Sequence, residues 1–304
     1  MLSIAVGPSA DEEVDEILRR TGAQPSPLDD AEALIWMDSD PRSFPDRLPD
    51  SVRWVQLPSA GVEAWVSAGR LDAGRKWTTA AGAYSESVAE HAVTLLLSAV
   101  RRIPDCVRAD RWARAEIDPA VGTLRGSLVA IVGAGGIGRT MISQLDAFGA
   151  GVIAVNLSGR EVPGAVETIP ADRIDEVWGR ADHIVLAAPA TAQTRHLVGA
   201  RELGLMKSTA WLVNVGRGAL IDTDALVAVL AAGGIGGAAL DVTDPEPLPD
   251  GHPLWSEPRA LITPHVANPR SLLRRELLRR IEDNVAAFVR GDELAGAFDP
   301  SRGY

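Results

Sequence analysis

Leu128-Val129-Ala130-Ile131-Val132-Gly133-Ala134-Gly135-Gly136-Ile137-Gly138 is the stretch on which the fold turns. Leu128 to Val132 is a short apolar run rich in β-branched residues, which reads as a strand buried on both faces. It leads directly into a fit to G-x-G-x-x-G, and helical spacing follows over 138–148. Strand, glycine turn and helix in that order are the context of a pyrophosphate site. Gly133 makes the tight turn, Gly135 lets the backbone approach the phosphates, and Gly138 lets helix and strand pack closely. The first N–H groups of the helix are free to face an anion, and Gly136 and Ile137, inside the motif, are counted with the glycines as cofactor contacts. A glycine turn that binds nothing shares the letters but does not require those flanks.

Beyond this stretch the alternation is regular. Strands are predicted at 152–155, 183–187, 210–215, 238–241 and 260–263, with helices near 172–178 and 222–231 among the later ones. That is the pattern of a doubly wound parallel sheet. The N-terminal third repeats the rhythm on a smaller scale, with strands at 4–6, Ala33–Trp36 and 52–55 and a helix at 11–20. A long helix is predicted over Ser85–Val100, interrupted by Pro104, and a charged amphipathic helix over 271–290 returns to cover the first domain. The expected division is a small α/β domain over 1–98, completed by 270–304, and a nucleotide domain over 99–269.

Composition narrows the function classes. The chain has 304 residues, 46% of them hydrophobic, enough for two separate cores. A net charge of -11 argues against nucleic-acid and membrane-surface partners, both of which select clustered Lys and Arg. No apolar stretch reaches the roughly 18 residues of a spanning helix, and Met1 to Gly7 is too short for a signal-peptide core. The single cysteine, Cys106, allows no internal disulfide and suits a reducing compartment. A cytoplasmic protein acting on a small molecule is the expectation.

Three polar residues at strand ends carry the chemistry. Arg217, between Gly216 and Gly218, can clamp a planar carboxylate with two parallel hydrogen bonds. Glu246 lies in a proline-stiffened acidic loop, and His265 directly follows a short apolar strand. Hydride addition to a carbonyl develops an alkoxide that needs a proton, and histidine is suited to supply one near neutrality. A neighbouring carboxylate would favour the imidazolium and fix the ring, which gives Glu246 a role. His91, His183, His196 and His252 lie in contexts that suggest no shared site and are read as structural. Where an acid usually binds the ribose 2′-hydroxyl, this chain has Asn156-Leu157-Ser158-Gly159-Arg160, and Asn156, Ser158 and Arg160 suit a 2′-phosphate, so NADP is favoured over NAD.

These residues resemble the D-isomer-specific 2-hydroxyacid dehydrogenase family, which includes glyoxylate/hydroxypyruvate reductases and phosphoglycerate dehydrogenases. The likeness runs through Ser87-Val88-Ala89-Glu90-His91-Ala92, Arg102-Ile103-Pro104, the glycine turn, Thr194-Arg195-His196-Leu197, Asn214-Val215-Gly216-Arg217-Gly218, Gly237 to Val242 and Thr263-Pro264-His265. The resemblance implies a Rossmann-type domain beside a smaller flavodoxin-like α/β domain, with an active site between them built on Arg217, Glu246 and His265. It further implies that the Ser59-Ala60-Gly61 loop holds the substrate carboxylate through the amides of Ala60 and Gly61. Pro189, Thr194, Val215 and Asp241 become cofactor contacts, Asp241 facing the nicotinamide amide. The reaction implied moves a hydride between NAD(P)H and a small 2-oxo acid, in a homodimer to which the apolar helix Val88 to Ala99 contributes. Two features depart from the pattern: Val266-Ala267-Asn268-Pro269 replaces the usual Ala-Gly after the histidine segment, and Asn156 replaces the usual acid. Alternatives are a nucleotide-sensing, corepressor-like relative, or a formate or phosphite dehydrogenase on the same scaffold.

Overall fold

The computed structural model describes residues 1–300 and divides into two compact units, Met1–Tyr84 with the chain from Pro269 onward, and Ser85–Asn268. The first unit opens with strands β1 (Leu2–Gly7), β2 (Ala23–Pro25), β3 (Ala33–Trp36), β4 (Trp54–Gln56) and β5 (Lys76–Thr78). They pair in parallel in the order β5-β4-β3-β1-β2, which is the flavodoxin-like order. Helix Glu12–Thr21 is capped by the Asp11 carboxylate, which accepts from the amides of Glu13 and Val14, and it ends at Gly22 with φ 91°. Its Val14, Ile17 and Leu18 are buried. An aromatic cluster fills the core, with Trp36 and Phe44 ring centroids 5.1 Å apart and Phe44 and Trp65 5.3 Å apart, both edge to face.

The second unit holds β6 (Leu128–Val132), β7 (Gly151–Asn156), β8 (Glu167–Pro170), β9 (His183–Leu186), β10 (Trp211–Asn214), β11 (Gly237–Leu240) and β12 (Ala260–Ile262). Every pairing is parallel, in the order β12-β11-β10-β9-β6-β7-β8. The order reverses at β6 and β9, so those two strands flank the switch point at which doubly wound sheets bind ligands. Helix Ser85–Val100 packs against helix Gly136–Ala147 and against β10 and β11, burying Val88, Ala89, Ala92, Leu95, Leu96 and Ala99. For that reason the boundary lies at 84/85 rather than 98/99: the linking helix is part of the nucleotide unit's core. It ends at Val100, Arg102 takes φ 56°, and Pro104 opens a separate helix, Ile103–Arg108.

The chain then returns to the first unit through helix Arg270–Arg290. Arg274 pairs with Asp11, and Arg20 with Glu282, tying that helix to Glu12–Thr21. Deeper in, Asn284 donates from Nδ2 to Gln56 Oε1 and to Ala295 O, at 2.8 and 2.9 Å, and accepts from the Ala295 amide. Gln56 Oε1 also accepts from Thr78, whose hydroxyl accepts in turn from Trp54 Nε1. A last strand, β13 (Ala297–Phe298), pairs antiparallel with β5.

Candidate active site

The glycine turn after β6 has the geometry expected of each glycine. Gly133 has φ 97°, and a Cβ there would fall 2.5 Å from Ala188 N and 2.7 Å from Ala187 C, so the turns after β6 and β9 touch backbone to backbone. A Cβ on Gly138 would meet Ile131 Cγ2 at 3.0 Å and Gly133 O at 3.1 Å, which is close helix-on-strand packing. At Gly135 an added Cβ would meet nothing within 4 Å, so this side of the turn is open. Gly135 caps helix Gly136–Ala147, and Gly136 and Ile137 are its first residues. A cradle without side chains, open toward a helix N-terminus, fits a dinucleotide pyrophosphate.

The remaining residues expected at the cofactor lie at the same carboxyl edge of the sheet. Thr194 Oγ1 donates to Pro189 O at 2.7 Å, and the Thr191 amide donates to Thr194 Oγ1, folding the loop after β9 onto itself. The Val215 amide donates to Leu186 O. After β7, Asn156 organises its loop: Oδ1 accepts from the Ser158 amide at 3.1 Å, and Nδ2 donates to Arg160 O at 2.8 Å. Ser158 and Arg160 are exposed.

β10, β11 and β12 are neighbours, so the loops carrying Arg217, Glu246 and His265 are adjacent. His265 Nδ1 lies 2.6 Å from Glu246 Oε1. An ionised carboxylate only accepts, so Nδ1 carries the hydrogen and Nε2 is left for solvent or substrate. Both side chains are accessible, at 53% for His265 and 41% for Glu246. Arg217 is half-buried and donates from Nη1 to Gly216 O at 2.8 Å. Its turn is held by Asn214, which donates to Arg217 O and accepts from the Gly216 amide. Gly218 lies so close to the next loop that a Cβ would sit 1.9 Å from Thr243 O. In the first unit, Ser59 Oγ donates to Gly61 O at 2.8 Å, closing the turn after β4, and Ala60 is exposed at its tip.

His91 differs from expectation, because it meets Asp241. The Asp241 side chain is 1% exposed and is occupied by donors of its own chain. Oδ1 accepts from Thr263 Oγ1 at 2.6 Å and the Val266 amide at 2.9 Å, and Oδ2 accepts from the Ala267 amide at 3.0 Å. His91, read from sequence as sharing no site, stands 3.1 Å from Thr263 Oγ1 and 3.3 Å from Asp241 Oδ1 through Nε2. Burial pushes the Asp241 carboxyl up, but hydrogen bonds from His91, Thr263 and the two amides outweigh it and hold the group at about 2. The available signal was spacing: Ser87 and His91 are one turn apart on the helix, and Ser87 Oγ donates to Ala267 O at 2.8 Å.

A sheet that cradles a dinucleotide at one strand end and presents an imidazole paired with a carboxylate at another divides labour as nicotinamide-dependent oxidoreductases do. Residues 93–267 match the family model described as the D-isomer specific 2-hydroxyacid dehydrogenase NAD binding domain. The chain belongs to the D-isomer specific 2-hydroxyacid dehydrogenase family and is an NAD(P)-dependent oxidoreductase. It is 43% identical over 279 residues to an uncharacterised protein of Corynebacterium melassecola, covering 91% of each chain. It is 36% identical to a D-specific alpha-keto acid dehydrogenase of Enterococcus faecalis, over 68% of this chain and 67% of that one. Among solved structures it is similar to an NADPH-dependent glyoxylate/hydroxypyruvate reductase of Sinorhizobium meliloti in complex with NADP and malonate, with 27% identity, a TM-score of 0.72, and 99% of this chain and 98% of that one covered. The corepressor-like alternative is not favoured.

Proposed function

We propose that this chain reduces a small 2-oxo acid to its D-2-hydroxy acid with NADPH, using His265 as proton donor. The observation that carries the reading is the 2.6 Å contact between His265 Nδ1 and Glu246 Oε1, at the strand edge that also holds the glycine cradle. A bound nicotinamide supplies the hydride to the carbonyl carbon. His265 Nε2 gives a proton to the oxygen as charge develops there, while Glu246 fixes the ring through Nδ1. Arg217 orients the substrate through its planar guanidinium, and the amides of Ala60 and Gly61 bind the substrate carboxylate. One hydride and one proton are consumed per alcohol formed.

The NADP preference rests on the loop after β7. Asn156 preorganises it, and Ser158 and Arg160 present a hydroxyl and a guanidinium where an acid would repel a 2′-phosphate. Arg160→Ala should raise KM for NADPH roughly tenfold while leaving NADH within about twofold, the loss of one charge-assisted contact; equal losses would remove the assignment. A homodimer is part of the same reading, but helix Ser85–Val100 buries its apolar face within its own unit. A surface that would suit a second copy is the following arm, where Trp112 is 91% and Val107 78% exposed. Among the described residues no helix is long and apolar enough to cross a membrane. The cytoplasm, the compartment proposed, suits the exposed free thiol of Cys106.

A substrate and cofactor panel on purified protein tests the whole. NADPH oxidation should be seen with glyoxylate, hydroxypyruvate or a bulkier 2-oxo acid. Tight NADPH binding without turnover on any of them would leave a sensor in place of an enzyme.

A further inference from the structure

We propose that His91 is a positioning residue for this reaction: from the linking helix it clamps Thr263 and Asp241, and through them the backbone that presents His265. This rests on the reading of His265 as proton donor. Donor counting fixes the ring. Thr263 Oγ1 has one hydrogen, directed at Asp241 Oδ1 over 2.6 Å. The 3.1 Å contact between Thr263 Oγ1 and His91 Nε2 therefore needs the hydrogen on Nε2, and the same N–H is 3.3 Å from Asp241 Oδ1. His91 spends its donor on these two acceptors.

The segment held is the one that matters. Asp241 collects donors from Thr263, Val266 and Ala267, on both sides of His265. The His265 amide itself donates to the Asp241 backbone carbonyl at 2.9 Å. His265 sits at φ 53°, a left-handed conformation that a residue with a Cβ keeps only when its surroundings impose it. Those donors join Asp241 to the segment, and the sheet anchors both from one side, through the Asp241 amide on Asn214 O and the Thr263 amide on Leu240 O. The linking helix supplies a side-chain anchor from outside the sheet, with His91 on the Thr263 and Asp241 side and Ser87 one turn earlier donating to Ala267 O. Asp241, with a side chain 1% exposed, is the buried centre of this clamp.

The test compares wild type with His91→Leu, which removes the donor, His91→Gln, whose amide can return one near Nε2, and Thr263→Val. Kinetics on the best 2-oxo acid of the panel are read with NADPH affinity by fluorescence and hydrogen exchange at the Val266 and Ala267 amides. Expected are a kcat at least tenfold lower in His91→Leu with NADPH affinity within about threefold, recovery to within about threefold of wild type in His91→Gln, and exchange faster at 266–267 but unchanged in β7. The double variant His91→Leu/Thr263→Val should lose little beyond the worse single one, because both act through one network. A folded His91→Leu with wild-type kcat, or a Gln variant no better than Leu, overturns the proposal while leaving the dehydrogenase reading intact. A wild type that turns over no 2-oxo acid overturns that reading instead. The exchange data then decide the clamp, and unchanged protection at 266–267 in His91→Leu rejects it.

Discussion

His265 occupies a backbone conformation that costs a non-glycine residue about 1 kcal/mol, and Thr263, Val266 and Ala267 are bound to one buried carboxylate around it. A side chain held this way is placed for contact rather than for packing, and His265→Ala should slow 2-oxo acid reduction by roughly two to four powers of ten with NADPH affinity kept. Steady-state kinetics with a cofactor titration check this; an unaltered kcat would remove His265 from the chemistry. His183 is the opposite case, 7% exposed and accepting from the Trp211 amide through Nδ1. Burial, opposed by Asp182 and reinforced by Lys207, lowers it from 6.5 to about 4. The unfolded chain then binds this proton more readily than the folded one. The stabilisation is complete above pH 6.5 and is lost as the pH falls toward 4, about 3 kcal/mol in all. Denaturant titrations at pH 7 and pH 4.5 should show most of that slope in wild type and little in His183→Asn, which keeps an acceptor for Trp211; equal slopes would reject the cause. Histidines at a strand start and a strand end look alike as letters. Glu246 and His265 were legible because hydride chemistry asks for an acid and an orienting carboxylate. His91 was not, because its partners lie 150 and more positions away in sequence.

The strand ends are kept in register by contacts too close for any other residue. Gly218 is the tightest, and Gly218→Ala should drive the loops after β10 and β11 apart, since the added methyl would overlap Thr243 O and C. The expected result is a loss of turnover of a hundredfold or more, with the glycine cradle still binding NADPH; a variant of wild-type activity would show that the Arg217 turn moves freely. The elements easiest to read were those with a strong apolar period or run, namely β6, β3 and helix Ser85–Val100, which the sequence places to the residue. Others were missed for physical reasons. β2 holds a proline and lies at a sheet edge, β8 is largely half-buried at the edge of the other sheet, and β13 has two residues, so none shows the buried run that marks an inner strand. β4 was expected two residues early because Val52 is buried like a strand residue, although pairing with β3 starts at Trp54.

The two units are built on one structural rule, parallel strands whose carboxyl ends bear the loops that the proposed function uses. Cofactor type was readable from the glycine turn because backbone geometry leaves so few options there, whereas the 2-oxo acid was not, since the first unit matches by rhythm and the role proposed for its Ser59 to Gly61 turn uses backbone atoms that many sequences supply. Assembly can be tested directly: sedimentation of wild type should give a dimer at micromolar concentration, and Trp112→Glu should shift it toward monomer, because a charge would replace a 91% exposed indole on the arm. A monomeric wild type would rule out that interface. The placement of the eight tryptophans has a practical result. Trp36, Trp54, Trp65 and Trp77, all at most 4% exposed, belong to the first unit, while in the second Trp178 and Trp211 are buried and Trp112 and Trp255 stand in water. Emission will therefore redden most when the smaller unit melts, and the chain carries a built-in optical gauge of that unit without any attached dye.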